Sequence, residues 1–102
     1  MKTQEHILSV LKNKYPELSR LGVCRIGLYG SYVKGDASEN SDIDIIIDFV
    51  PEKETFDNYM LAYDIIENLF KENKVDLVTM NGLSPHIGPK ILKDVKYVQG
   101  LT

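Results

Sequence analysis

Gly30-Ser31-Tyr32-Val33-Lys34-Gly35-Asp36-Ala37-Ser38-Glu39-Asn40-Ser41-Asp42-Ile43-Asp44-Ile45-Ile46-Ile47-Asp48 is the stretch around which the chain is organised. It opens with a Gly-Ser pair behind an apolar run. It passes through a short polar loop and enters a second apolar run through Asp42 and Asp44. Small residues, a lysine and paired carboxylates in so short a span suit a metal-bound phosphate chain. Gly30 leaves room for a phosphate to approach the backbone. Ser31 offers a hydroxyl and an amide at the start of a helical turn, where free N–H groups favour anions. Lys34 reaches the same phosphates as a point charge. On a strand, Asp42 and Asp44 point to one face, about 7 Å apart along the backbone.

Outward from this stretch the elements follow. Thr3 to Tyr15 reads as a helix, with Ile7, Leu8, Leu11 and Tyr15 at helical spacing and Pro16 as a stop. Val23 to Tyr29 reads as a strand. Ser31 caps a turn over Tyr32 to Lys34 that Gly35 closes. Ile43 to Val50 is a second strand, ended by Pro51. Thr55 to Glu72 is the longest helix, capped by Thr55. Phe56, Tyr59, Met60, Tyr63, Ile66 and Phe70 form its core-facing stripe, and Lys71 falls in its last turn. Asn73-Lys74 turns the chain into a third strand, Val75 to Met80. Ser84-Pro85 offers a cap for a last helix, with Ile91 and Leu92 toward the core. Val95 to Val98 is a short final strand.

Connection lengths predict how these strands pair. The stretch from Gly30 to Asp42 suits an antiparallel neighbour, whereas the long helix suits a parallel crossover. The expected fold is α+β (α/β), a small mixed sheet of about four strands flanked by helices, in one domain spanning 1–102. Gly30, Asp42, Asp44 and Asp76 should then meet at one sheet edge. Asp76 stands in Val75-Asp76-Leu77-Val78, a charge inside an apolar strand. Buried there, it is costly unless paired or metal-bound. Three such carboxylates hold Mg²⁺, which prefers oxygen ligands, and a two-metal site stabilises in-line phosphoryl displacement.

Each part has a plainer reading. Asp-x-Asp at a strand start is commonly loop solvation, Gly-Ser after a strand a turn, Lys34 a solvated side chain and Asp76 an edge residue facing water. Their joint occurrence favours the site. Asp48 reads as structural, Cys24 as core, and His6 and His86 as surface. A P-loop needs Lys-Ser/Thr after the second glycine, and Gly35 is followed by Asp36-Ala37. An EF-hand fails because Ile46 and Ile47 fill a ligand and a glycine position. Haloacid-dehalogenase-type phosphatases carry Asp-x-Asp after an apolar strand, not before one.

Composition narrows the partners. With 102 residues and a net charge of −3, no clustered cations favour stable binding to a nucleic-acid backbone. The longest apolar run, Tyr59 to Tyr63, is far short of the roughly 20 residues of a membrane span. One cysteine allows no internal disulfide. The N-terminus has no signal-peptide pattern. A cytosolic (cytoplasmic) protein is expected.

Gly30-Ser31, ten intervening residues and Asp42-Ile43-Asp44 resemble the signature of the polymerase-beta-type nucleotidyltransferase superfamily. The strings Leu28-Tyr29-Gly30-Ser31-Tyr32-Val33-Lys34-Gly35 and Ser41-Asp42-Ile43-Asp44-Ile45 are similar to its minimal (MNT) branch. These are small prokaryotic proteins, often antitoxins of HEPN-domain RNase toxins. The resemblance extends over nearly the whole chain. It implies Mg²⁺-dependent transfer of AMP from ATP to a hydroxyl, a tyrosine of the toxin, in a type VII-like toxin–antitoxin pair. By position, Asp42 and Asp44 would bind two metal ions. Asp76 would bind the catalytic one and help deprotonate the acceptor. Gly30 and Ser31 would hold the β- and γ-phosphates. Lys34 stands where the branch often has arginine; lysine keeps the charge but loses bidentate binding. A hetero-oligomer with the toxin is expected. The alternative is a catalytically silent nucleotide-binding subunit that neutralises its partner by contact. Small-molecule nucleotidylation would usually need an added domain.

Overall fold

The computed structural model describes residues 2–99; residue 1 and residues 100–102 of the expected domain lie outside the described residues. The chain runs α1 (Gln4–Arg20), β1 (Val23–Tyr29), α2 (Ser31–Lys34), β2 (Ile43–Phe49), α3 (Phe56–Leu69), β3 (Val75–Thr79), α4 (Gly88–Asp94) and β4 (Lys96–Tyr97). The sheet order is β3-β2-β1-β4. β1 is antiparallel to β2 and to β4, and β2 is parallel to β3. The mixed four-strand α+β architecture and both expected pairings of the central strands are therefore observed.

Alternation along the strands separates two faces. Ile26 and Leu28 of β1, Ile43, Ile45 and Ile47 of β2, and Val75 and Leu77 of β3 are buried together. Ile7, Leu11 and Leu18 of α1 and Ala62 and Ile66 of α3 join the same core. Each of these Ile, Leu and Val side chains contributes about 2 kcal/mol by leaving water. The opposite parity, Tyr29 of β1, Asp44 of β2 and Asp76 of β3, belongs to the other face of the sheet. β4 is fastened to β1 by the backbone N–H of Val98, which donates to Ile26 O at 2.9 Å. The Arg25 guanidinium lies over the Tyr97 ring, 4.4 Å from its centroid.

Several boundaries differ from the sequence reading. α1 does not stop at Pro16 but carries it inside, on an exposed position. Proline deletes one intrahelical bond, yet the added turn buries Leu18 completely. The helix ends instead at Arg20, and Gly22 just beyond the cap, at φ +97°, turns the chain toward β1. The cap of α2 is Gly30, with Ser31 its first helical residue. α3 ends at Leu69, leaving Lys71 outside it. Its stripe holds at Ile66 and Phe70, which are buried, and at Tyr59 and Tyr63, which pack against the core; Ala62 joins them, while Phe56 is 76% exposed and Met60 39%. α4 begins at Gly88; Ser84 Oγ accepts from Ile87 N in the preceding turn. Ile91 is half-buried and Leu92 exposed, because this short helix lies over the rim of β1 rather than in the core.

Candidate active site

Register builds the site. Tyr29 pairs with Asp44 across β1 and β2, and Asp44 pairs with Asp76 across β2 and β3. Three neighbouring strands thus present Tyr29, Asp44 and Asp76 in one row on one face. Asp42 precedes β2 and is exposed, Asp44 is half-buried and Asp76 is exposed. The expected burial of Asp76 is not observed, because β3 is an edge strand with water on one side.

The row is electrostatically strained. Burial first, then the charges of Asp76 and Asp42 and a hydrogen bond with Asp76, push the Asp44 carboxyl up to about 6. Burial, then the charges of Asp76 and Asp44, raise the Tyr29 phenol above its ordinary range. Burial and Asp76 also raise Tyr59, whose hydroxyl donates to Leu77 O at 2.8 Å. Like charges so arranged stay ionised at a cost that a cation relieves.

Gly30 bends the chain beside this row. Its φ of +76° and ψ of −148° favour glycine, and a Cβ there would overlap the Asp44 carboxylate. The glycine therefore clears space for the carboxylate, in addition to any approach by phosphate. Gly30 O accepts from Val33 N and Lys34 N, so the Ser31 and Tyr32 amides precede the first donors of the turn.

Lys34 is largely exposed, its Nζ 4.0 Å from the Asp94 carboxylate. Together with Tyr29, Gly30, Lys90, Ile91 and Asp94 it lines a cavity of about 220 Å³. Lys90 carries a second cation to the mouth of the Gly-Ser turn. It was not legible as a site residue, since it lies far along the chain and only α4 brings it there. Its spacing of four from Asp94 was the one available signal.

Asp48, Cys24 and the histidines stand apart from this row. Cys24 Sγ donates to Asp48 O at 3.4 Å, beside an irregularity of β1, and burial raises its thiol. That is a structural cysteine rather than a nucleophile. His6 and His86 are exposed.

Among the described residues no three His, Cys, Asp or Glu side chains are gathered closely enough to enclose a metal ion. Asp44 and Asp76 make the close pair, and Asp42 adds charge from the loop side. The donor set is carboxylate oxygen throughout. This fits Mg²⁺, which takes one or two carboxylates and completes its octahedron with substrate phosphates and water. No helix among the described residues is long and apolar enough to cross a membrane.

Known proteins resemble this chain in sequence and fold. The chain is 39% identical to the protein adenylyltransferase MntA of Thermococcus cleftensis over 99 residues, covering 96% of this chain and 98% of that one. A protein of Methanocaldococcus jannaschii assigned as a protein adenylyltransferase is 35% identical over 89 residues, 87% of this chain and 94% of the other. A solved structure assigned as a minimal nucleotidyltransferase superposes with a TM-score of 0.68 at 26% identity, over 87% of this chain and 93% of that one. A chain from a toxin–antitoxin crystal structure with AMP-PNP gives 0.63 at 28% identity, over 87% and 73%. Residues 5–99 match the model of the family described as polymerase beta, nucleotidyltransferase. With its Gly-Ser turn and aspartates on the shared sheet, this chain belongs to that family and is a nucleotidyltransferase of the minimal kind.

Proposed function

We propose that the protein is an antitoxin that transfers AMP from ATP to a tyrosine hydroxyl of a HEPN-domain toxin, with Mg²⁺ bound. The observation that carries this reading is the in-register pair of half-buried Asp44 and exposed Asp76. One carboxylate is sheltered enough to anchor charge, while the other stands on an open strand edge that a macromolecular acceptor can reach. The likeness to a protein adenylyltransferase and to a toxin–antitoxin chain solved with AMP-PNP supports the adenylyl group and the toxin.

Asp42, Asp44 and Asp76 would hold Mg²⁺, as two ions in the full site. When bound, the metal neutralises phosphate charge and polarises the phosphoryl group under attack. Asp76 accepts the proton of the tyrosine hydroxyl as its oxygen bonds to the α-phosphorus. The bond from that phosphorus to the bridging oxygen breaks, and pyrophosphate leaves with the electron pair. The Gly30-Ser31 turn, Lys34 and Lys90 face the departing β- and γ-phosphates and favour their charge. The toxin supplies the acceptor side, so the working form is a hetero-oligomer.

The test incubates the protein with labelled ATP, Mg²⁺ and the partner toxin, comparing wild type with the double variant Asp42→Ala/Asp44→Ala. Label on a toxin tyrosine that disappears in the variant supports the reading. Full neutralisation by the variant, with no label moved by wild type, replaces it with the silent contact subunit.

A further inference from the structure

We propose that Asn73 is a positioning residue that holds the Asp42 backbone beside Asp76. The inference rests on the functional reading above for the role of Asp42, and on hydrogen bonds for the role of Asn73.

Asn73 lies in the turn before β3 and is half-buried. Its Oδ1 accepts from Lys2 Nζ at 2.9 Å. Its Nδ2 donates to Ser41 O at 3.1 Å, with longer contacts to Tyr32 Oη at 3.4 Å and Glu39 O at 3.5 Å. An ammonium on one end and three oxygens on the other determine which end of the amide is which. Two amide hydrogens cannot serve three acceptors fully, so the Ser41 bond is the strong one.

The position of that bond matters. Ser41 directly precedes Asp42, and Ile43, directly after it, donates through its backbone N–H to Lys74 O at 2.9 Å. Asp42 is therefore bracketed by two bonds to consecutive residues, Asn73 and Lys74, which lead into the strand carrying Asp76. Tyr32 adds the Gly-Ser helix to the same node.

Apart from Ala37, which packs against the core, the loop has little else to rest on. Asp36, Ser38, Glu39, Asn40 and Asp42 are exposed. Ser38 and Ser41 bond chiefly to each other. Glu39, Asn40, Tyr32 and Asn73 line a cavity of about 610 Å³ where a core would otherwise support the loop. Without the Asn73 amide, the loop before Asp42 keeps its internal turn but loses its tie to β3. Residues that orient metal-holding groups from behind typically cost 10–100-fold in affinity when removed.

The test compares wild type with Asn73→Ala and Asn73→Asp, the second keeping the acceptor for Lys2 while removing the donor. Amide hydrogen exchange of residues 38–42, MgATP affinity by calorimetry and thermal unfolding are measured together. Both variants should exchange at least about 10-fold faster in this loop and bind MgATP about 10–100-fold more weakly. Exchange in β1 and β2 should remain unchanged. Lys2→Ala, which spares the donor, should leave MgATP affinity within about 3-fold of wild type. Unchanged loop exchange in Asn73→Ala overturns the proposal. So does faster exchange with undiminished MgATP affinity, which would make Asn73 a fold residue only. Absence of MgATP binding by wild type overturns the functional reading, and loop exchange then still decides whether Asn73 holds Asp42.

Discussion

Gly30 and Asp44 share one volume: the space a Cβ would fill on the first is taken by the carboxylate of the second. The turn therefore serves the aspartate before it serves any ligand. Gly30→Ala adds both that overlap and a strained backbone at φ +76°. Stability should fall by about 1–3 kcal/mol in urea unfolding. Adenylyl transfer should fall at least about 100-fold, because the carboxylate must turn away from Asp76. A variant that folds and transfers label normally would contradict this relationship.

Asp44 ties stability to pH. Its carboxyl is raised in the fold, so the native state binds the proton more tightly than the unfolded chain. Stabilisation from this group is full below its unfolded value near 4 and is lost as pH rises through about 6. Asp44→Asn should thus be more stable than wild type at pH 8 by about 1–2 kcal/mol, allowing for solvent at a half-buried group. The difference should shrink below pH 4. Mg²⁺ with a non-hydrolysable ATP analogue should raise the melting temperature of wild type and not of the variant. Calorimetric melting across pH 3–8 measures all three.

Lys34 and Lys90 face one cavity with Gly30. Replacing either by Ala should weaken ATP binding about 5–10-fold and AMP binding less than 2-fold, if each meets the outer phosphates. The effect should diminish in high salt, because both are at the surface. Stability should change by less than about 0.5 kcal/mol, as neither supports the core. Equal losses for AMP and ATP would place these lysines elsewhere on the nucleotide.

Pro16 sits inside α1 on an exposed position. Pro16→Ala restores a donor without disturbing the buried side. The variant should gain about 1–3 kcal/mol, read from urea midpoints. Leu18→Ala should lose about 2–5 kcal/mol, since that last turn is anchored by a fully buried leucine.

Much of this arrangement was readable from local pattern. β1 has the expected bounds because Val23 to Tyr29 lies between two glycines, Gly22 and Gly30, that both take positive φ. The row joining Asp44 and Asp76 followed from connection length, since a long helix between strands dictates a parallel crossover. Pro16 misled because burial of Leu18, outside the window that defined the stripe, outweighs one lost bond. The stripe through Tyr59, Tyr63, Ile66 and Phe70 meets the core as its spacing says, whereas Phe56 in the first turn and Met60 on the flank do not, because spacing does not say how far along or around the helix the sheet reaches. Asp76 is exposed between buried Val75 and Leu77 because it lies on the other face of an edge strand, as its plainer reading has it. Lys90 and Asn73 had no local signature. Their roles come from contacts across the fold, which spacing does not encode.

The two-residue β4 gives the molecule an uneven hinge. α4, with Lys90, is tied to the sheet by the weakest pairing in it, whereas the aspartates rest on its three longer strands. Opening of that edge should cost far less than global unfolding. The side of the cavity that carries Lys90 is therefore the part of the site that yields first, while Lys34 and the carboxylates keep their places.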